Sequence, residues 1–150
     1  MRSRIRIIRS PEQAIKELEK IAKNLKGSDS VKVGLPKGSN DYPDGTSVIM
    51  VGAVHEFGSP SRNIPQRSFL RSTVSEKRTS YKSMFKKLSK RIVQGKMTKA
   101  RALGLIGLQV QTDVRAKITN IKDPVLKHRD GNPLVDTGHL RQSIVYEVKE

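Results

Sequence analysis

Two neighbouring stretches with helical periodicity, at about 72–94 and 98–119, constrain the fold of this 150-residue chain more than any other feature. Gly95 can end the first helix and Thr98 can cap the second, so the link between them is only about three residues long. So short a link predicts an antiparallel helical hairpin. The apolar positions are Val74, Tyr81, Met84, Phe85, Leu88 and Ile92 in the first helix, and Leu103, Ile106, Val110, Val114 and Ile118 in the second.

Two glycines interrupt the second predicted helix. Gly104 and Gly107 each weaken it by about 1 kcal/mol relative to alanine. Glycines three residues apart also let another backbone come close, and we expect such an approach at this helix.

The remaining elements are shorter. Ser10 and Pro11 form a strong helix start, with Gln13 completing a capping box, and Gly27 ends a helix predicted over 11–26. Alternating apolar residues predict strands at 31–35 and 143–148 and a short basic strand at 4–7.

The stretch 47–57 is ambiguous. Its β-branched residues favour a strand, whereas Ser47 as a cap and Gly58 beyond its end favour a short helix, which is the interpretation we prefer.

The order of elements predicts a single α+β domain over 1–150. A small, mostly antiparallel sheet packs against two long helices, accompanied by an N-terminal helix. Exposed loops are expected at about 36–46, 58–71 and 120–135.

The chain is strongly basic, with 30 Lys and Arg against 14 Asp and Glu, a formal net charge of +16. Such a surface attracts polyanions or acidic protein faces, and a stand-alone nucleic-acid-binding protein is therefore one functional hypothesis. The densest positive charge lies over 72–101, where aromatic residues suited to base stacking are scarce. Cysteine is absent, which excludes disulfides and thiolate metal sites.

The loop around 58–71 carries a specific pattern. Pro65 forces an extended conformation on the residue before it, and Phe69 and Leu70 can anchor the end of the loop in the core. Such an anchor would hold Arg67 and Arg71 at defined positions for a partner's carboxylates or phosphates, and the alternative is a plain loop-to-helix junction with solvated arginines. The predicted interface arginines of this loop are Arg62, Arg67 and Arg71.

A second pattern lies near the C-terminus. Asp136 and Thr137 can cap one helical turn, with Gly138 as a backbone device and Leu140 as an apolar anchor. Arg141 is a candidate partner contact. The loop before this segment adds the further interface candidates Lys127 and Arg129.

Catalytic patterns are weak. His55-Glu56 would need a second histidine four residues later for a zinc-protease motif, and position 59 is serine. Asp136 and His139 could add ligands, so a metal-dependent hydrolase is a third hypothesis, but the plainer interpretation is that Glu56 is ion-paired. Neither a nucleophile elbow nor a phosphate-binding loop is present. We therefore assign no catalytic, cofactor-binding or metal-binding residues.

Three segments, in this order, carry a resemblance. They are HEFG at 55–58, IPQRSFLR at 64–71 and PLVDTGHLRQSI at 133–144, and the GLIG sequence at 104–107 fits as well. The first segment includes Glu56, Phe57 and Gly58. In these segments the chain resembles the tail-completion, or virion morphogenesis, family of tailed bacteriophages and prophages, which includes HK97-like and Mu-like head–tail joining proteins. The resemblance covers about 28–150, and the loop before Pro133 departs from the family pattern.

The resemblance implies a structural role without catalysis, cofactors, a membrane or a small-molecule substrate. Such a protein completes the tail or joins it to the head. Its expected partners are connector, neck or tail-tube proteins, other copies of itself in a ring, and DNA in the channel. Its expected location is the virion neck or tail, and the host cytoplasm during assembly.

Overall fold

The computed structural model describes residues 10–125 and 131–149. Along the chain the elements are α1 (Pro11–Leu25), β1 (Ser30–Gly34), α2 (Val48–Phe57), a 3-10 turn (Pro60–Arg62), α3 (Leu70–Glu76), α4 (Arg78–Val93), α5 (Lys99–Asn120), α6 (His139–Gln142) and β2 (Val145–Lys149). The predicted α+β class is confirmed.

Local sequence signals explain where the helices begin. Ser10 Oγ accepts a hydrogen bond from the backbone N–H of Gln13, and Pro11 occupies the first turn of α1. Thr98 caps α5 by accepting from the N–H of Arg101. The stretch that fitted either a strand or a helix forms α2.

The sheet is an antiparallel pair in which the register runs from Ser30↔Lys149 to Gly34↔Val145. Its inner face lies on α5 at Gly107, where an added Cβ would be 2.6 Å from a Tyr146 ring carbon and 2.7 Å from a Val31 methyl carbon. Gly107 therefore permits a close approach, but side chains of the sheet make it and not the backbone that the sequence predicted. A Cβ on Gly104 would meet open space.

The core has two parts. The larger joins α2, α5 and α6 with the residues just before α3 and β2, and its fully buried members include Val48, Phe69, Val114, Ile118 and Ile144. The smaller lies between α4 and α5 around Leu88, Ile92, Ala102 and Ile106. This second cluster lies inside the hairpin of α4 and α5 that periodicity predicted, and the two helices are in contact.

One predicted helix is divided. The helix expected over 72–94 is wrong as a single element, because Lys77 leaves helical geometry (φ −93°, ψ 4°) and separates α3 from α4. The break lets both flanking charges reach α5: Glu76 pairs with Lys117 at 2.6 Å, and Lys77 lies 3.8 Å from Asp113. The predicted strand at 4–7 lies outside the described residues.

Candidate docking site

The carboxylate of Glu56 organises the start of α3. It is 3% exposed and accepts five hydrogen bonds. Three come from backbone N–H groups of the first turn of α3, those of Phe69 (2.8 Å), Leu70 (2.9 Å) and Arg71 (3.0 Å). Ser68 Oγ (2.8 Å) and Arg71 Nε (3.0 Å) supply the other two. A carboxylate from α2 therefore caps α3, because the free N–H groups and the dipole of a helix N-terminus favour an anion.

The electrostatics agree with this role. Burial raises the pKa of Glu56, but the hydrogen bonds from Leu70, Arg71 and Ser68 outweigh it, and the pKa lies below its ordinary value. Glu56 is consequently ionised at neutral pH and forms an ion pair with Arg71. The interpretation of Glu56 as an ion-paired residue is confirmed.

The loop that follows Glu56 is closed at its base. Ser59 and Ile64 exchange two backbone hydrogen bonds of 2.9 and 3.0 Å around the 3-10 turn. Gly58 has φ +78°, and a Cβ there would lie 3.1 Å from the backbone nitrogen of Gln66, so this position requires glycine. The Gln66 side chain donates to the Glu56 carbonyl at 3.0 Å. The projecting loop is thus tied at both ends to α2.

Arg67 lies inside the molecule. It is 5% exposed, and its Nε and Nη2 atoms donate to the Pro124 carbonyl at 2.9 and 2.6 Å. Its backbone N–H donates to the His55 carbonyl at 2.7 Å. The guanidinium of Arg67 therefore holds the 121–125 segment against the loop. Arg67 was expected to face a partner, but its side chain is buried.

Other side chains of the loop face solvent. Phe57 is 64% exposed, with the Arg71 guanidinium 4.5 Å from its ring centroid. Arg62 and Pro65 are also exposed, and Val125 is 73% exposed across a cleft of about 760 Å³. We call Phe57, Arg62, Pro65 and Val125 the docking surface. The predicted interface residues Lys127 and Arg129 lie outside the described residues.

The third motif segment forms a different turn from the one expected. Gly138 (φ +79°) is the residue before α6, and Thr137 Oγ1 accepts from the N–H of His139 at 3.3 Å. The prediction that Asp136 is the N-cap is wrong, because Asp136 precedes the capping position by two residues. The role of Gly138 as a backbone device is confirmed, and Leu140, 2% exposed, is the anchor.

Two arginines tie this segment to α5. Arg141 is half-buried, and its Nη1 donates to Thr119 Oγ1 at 3.3 Å. Arg115 donates from Nε and Nη2 to the Ile144 carbonyl at 3.2 and 2.8 Å, and from Nη2 to the Gln142 carbonyl at 3.1 Å. Sequence reasoning missed Arg115, because nothing in a chain with 30 basic residues marks the one that reaches a distant carbonyl.

His55 lies between the 760 Å³ cleft beside the docking surface and a smaller cleft of about 320 Å³ next to Asp136 and His139. Its Nδ1 atom is buried and has no hydrogen-bond partner within the described part of the chain. Burial, followed by the charge of Arg67, lowers the pKa of His55. Over 10–125 and 131–149, no group of three His, Asp or Glu side chains is placed to hold a metal ion.

Comparison of the chain with protein-family models, curated proteins and solved structures gave no match. In the part of the chain that the structure describes, every helix is too short or too polar to cross a membrane.

Proposed function

We propose that this chain is a structural neck protein of a tailed phage or prophage, one that completes the tail or joins it to the head. The observation that carries the proposal is the Glu56 cap on α3. It links two of the three motif segments by five hydrogen bonds and fixes the base of an exposed loop. Residues that hold a loop in one conformation suit a protein that binds neighbours and performs no chemistry.

The composition of the docking surface suits protein contact. Phe57 and Arg62 belong to residue types that are enriched in protein interfaces, and here both are exposed. A closed ring of identical subunits needs two different patches on each subunit. The docking surface supplies one of them, for a connector, neck or tail-tube protein or for the next copy of this chain.

Particle assembly tests the proposal. When the gene is deleted from the phage or prophage, we expect electron microscopy of induced lysates to show filled heads and separate tails. Joined virions should return when the wild-type gene is supplied from a plasmid. Normally joined, infectious particles in the deletion strain would contradict the proposal.

A second candidate function, binding of nucleic acid, is favoured by one observation. Helix α4 contains no carboxylate, and its cations are all exposed and form no ion pair within the described residues. These cations are Arg78, Lys82, Lys86, Lys87, Lys90 and Arg91. Like charges four residues apart destabilise a helix slightly, and a polyanion bound to this surface would neutralise that repulsion.

Salt dependence distinguishes this second function. If α4 binds the DNA backbone, the affinity for duplex DNA should fall steeply with salt, and replacing two of its lysines should reduce the slope by about two. Lys86→Gln with Lys90→Gln is the variant, and Lys16→Gln with Lys20→Gln on α1 is its control. Equal slopes for the two variants would remove α4 as the DNA-binding surface.

A further inference from the structure

We propose that the apolar groove beside β1 binds an extended, acidic segment of another protein as an added β-strand. The groove lies between β1, α3, α4 and α5, and its volume is about 770 Å³. It is separate from the docking surface and from the α4 lysines at positions 86 and 90. Its rim includes Arg78 and Lys82, two of the α4 cations named above, but neither proposed function assigns an occupant to its apolar walls.

The walls of the groove are apolar and partly uncovered. Val74 of α3 is 48% exposed and Phe85 of α4 is 45% exposed, although periodicity places both on the apolar faces of their helices. Val31 and Val33 of β1 form the opposite wall and are half-buried. Large apolar side chains on two facing walls provide the burial that a bound apolar segment needs.

The unpaired edge of β1 gives the groove a direction. Within the described residues β1 forms a ladder with β2 only, so its other edge has backbone N–H and C=O groups without a partner strand. The groove is lined by β1 residues and by none from β2, and it therefore follows this open edge. An extended peptide can add to such an edge through main-chain hydrogen bonds and place alternate side chains in the groove.

The rim of the groove specifies the charge of the occupant. Arg71, Arg78 and Lys82 stand along it, and none of its lining residues in the described part of the chain is a carboxylate. The carboxylates of α3 and α5 are engaged elsewhere: Glu76 pairs with Lys117, and Asp113 accepts from the Tyr81 hydroxyl at 2.9 Å.

Arg71 is shared with Glu56, but Arg78 and Lys82 form no ion pair within the described residues. The carboxylates of an acidic strand would compensate the positive charge of this rim. The same cations repel a basic segment from this rim.

A pair of peptides tests the proposal directly. The probe is a fluorescein-labelled peptide of nine residues that alternates valine and glutamate, and its counterpart has lysine in place of glutamate. We expect the full-length chain to bind the glutamate peptide at least tenfold more tightly than the lysine peptide at about 150 mM salt. A glycine–glutamate peptide of equal charge should bind at least tenfold more weakly, because it lacks the side chains that enter the groove.

Charge-reversal variants locate the binding. Arg78→Glu with Lys82→Glu should weaken binding of the glutamate peptide about tenfold or more and strengthen binding of the lysine peptide, since each exposed pair contributes a factor of a few. Lys86→Glu with Lys90→Glu changes the net charge equally on the same helix, outside the groove, and should change either affinity less than threefold.

Blocking the peptide's backbone tests strand addition. N-methylation of alternate residues along one edge of the peptide should abolish binding when that edge faces β1.

Equal losses in the two charge-reversal variants would show general attraction to a basic protein and overturn the proposal. No measurable binding by the full-length chain would also overturn it, including the case in which its own residues fill the groove.

Discussion

Replacement of Glu56 by glutamine is the most informative perturbation of the folded protein. In the structure Oε2 accepts from the N–H groups of Phe69 and Leu70, and Oε1 accepts from Ser68 Oγ and from two nitrogens of Arg71. A glutamine amide can replace only one of these oxygens. Whichever way it turns, its NH2 group faces at least two donors, which lose their acceptor.

The expected cost follows from that count. A buried donor left without an acceptor costs about 1–3 kcal/mol, so two of them cost about 2–6 kcal/mol. For a chain of this size this corresponds to a decrease in Tm of roughly 4–24 °C. Glu19→Gln, at an exposed position on α1, is the charge-matched control and should change stability by about 0.5 kcal/mol or less.

The pH dependence gives an independent check on Glu56. Its folded pKa lies below the ordinary value of 4.5, so the folded state binds this proton less tightly than the unfolded state does. The stabilisation is therefore complete above pH 4.5 and is lost as the pH falls through the folded pKa. The glutamine variant should lack this contribution.

Urea denaturation followed by far-UV circular dichroism measures both effects of the Glu56 substitution, since the chain has no tryptophan. A Glu56→Gln variant as stable as the Glu19→Gln control at neutral pH would refute the reasoning.

Three further predictions concern packing and titration. Gly107→Ala should destabilise the fold by about 1–3 kcal/mol, because its Cβ meets the sheet at 2.6 Å, whereas Gly104→Ala should stabilise it by about 0.5–1 kcal/mol. Thermal melts of the two variants test this, and a Gly107→Ala variant that melts above Gly104→Ala would refute it. Arg67→Ala should cost about 1–3 kcal/mol by leaving the Pro124 carbonyl unpaired, and an unchanged urea midpoint would contradict that contact. Because the pKa of His55 is lowered, stability should fall as the pH drops below 6.5, and His55→Gln should reduce the change in urea midpoint between pH 7 and pH 5; an unaltered change would assign that titration to another group.

Much of the fold follows from local signals that the sequence displays openly. Ser10 with Pro11 and Thr98 mark helix starts, and both predicted helices begin there. Alternation marked the two strands that pair in the sheet. Periodicity did not reveal the break at Lys77, because the apolar spacing continues across it and the ion pairs of Glu76 and Lys77 are with residues of α5 remote in sequence.

The candidate site was predictable in its residues more than in its contacts. The motif order singled out Glu56 and Arg67, but which of them points inward depends on tertiary packing. Glu56 caps a helix that begins fourteen residues later, and Arg67 reaches a carbonyl 57 residues away. The local rule that favours aspartate at the N-cap was also wrong for Asp136, because Gly138, in the left-handed conformation, is the N-cap of α6.

The most direct measurement of the central claim is a count of joined and unjoined particles made with an altered docking surface. Phe57→Ser with Arg62→Ser changes exposed side chains and leaves the Glu56 hydrogen bonds in place, so the variant should fold. Lys86→Ser with Lys90→Ser, two exposed residues on α4, is the control. In a deletion strain supplied with the first variant, electron micrographs should show mostly filled heads without tails, while the control restores joined virions. Joined virions at wild-type yield with the docking-surface variant would contradict the account.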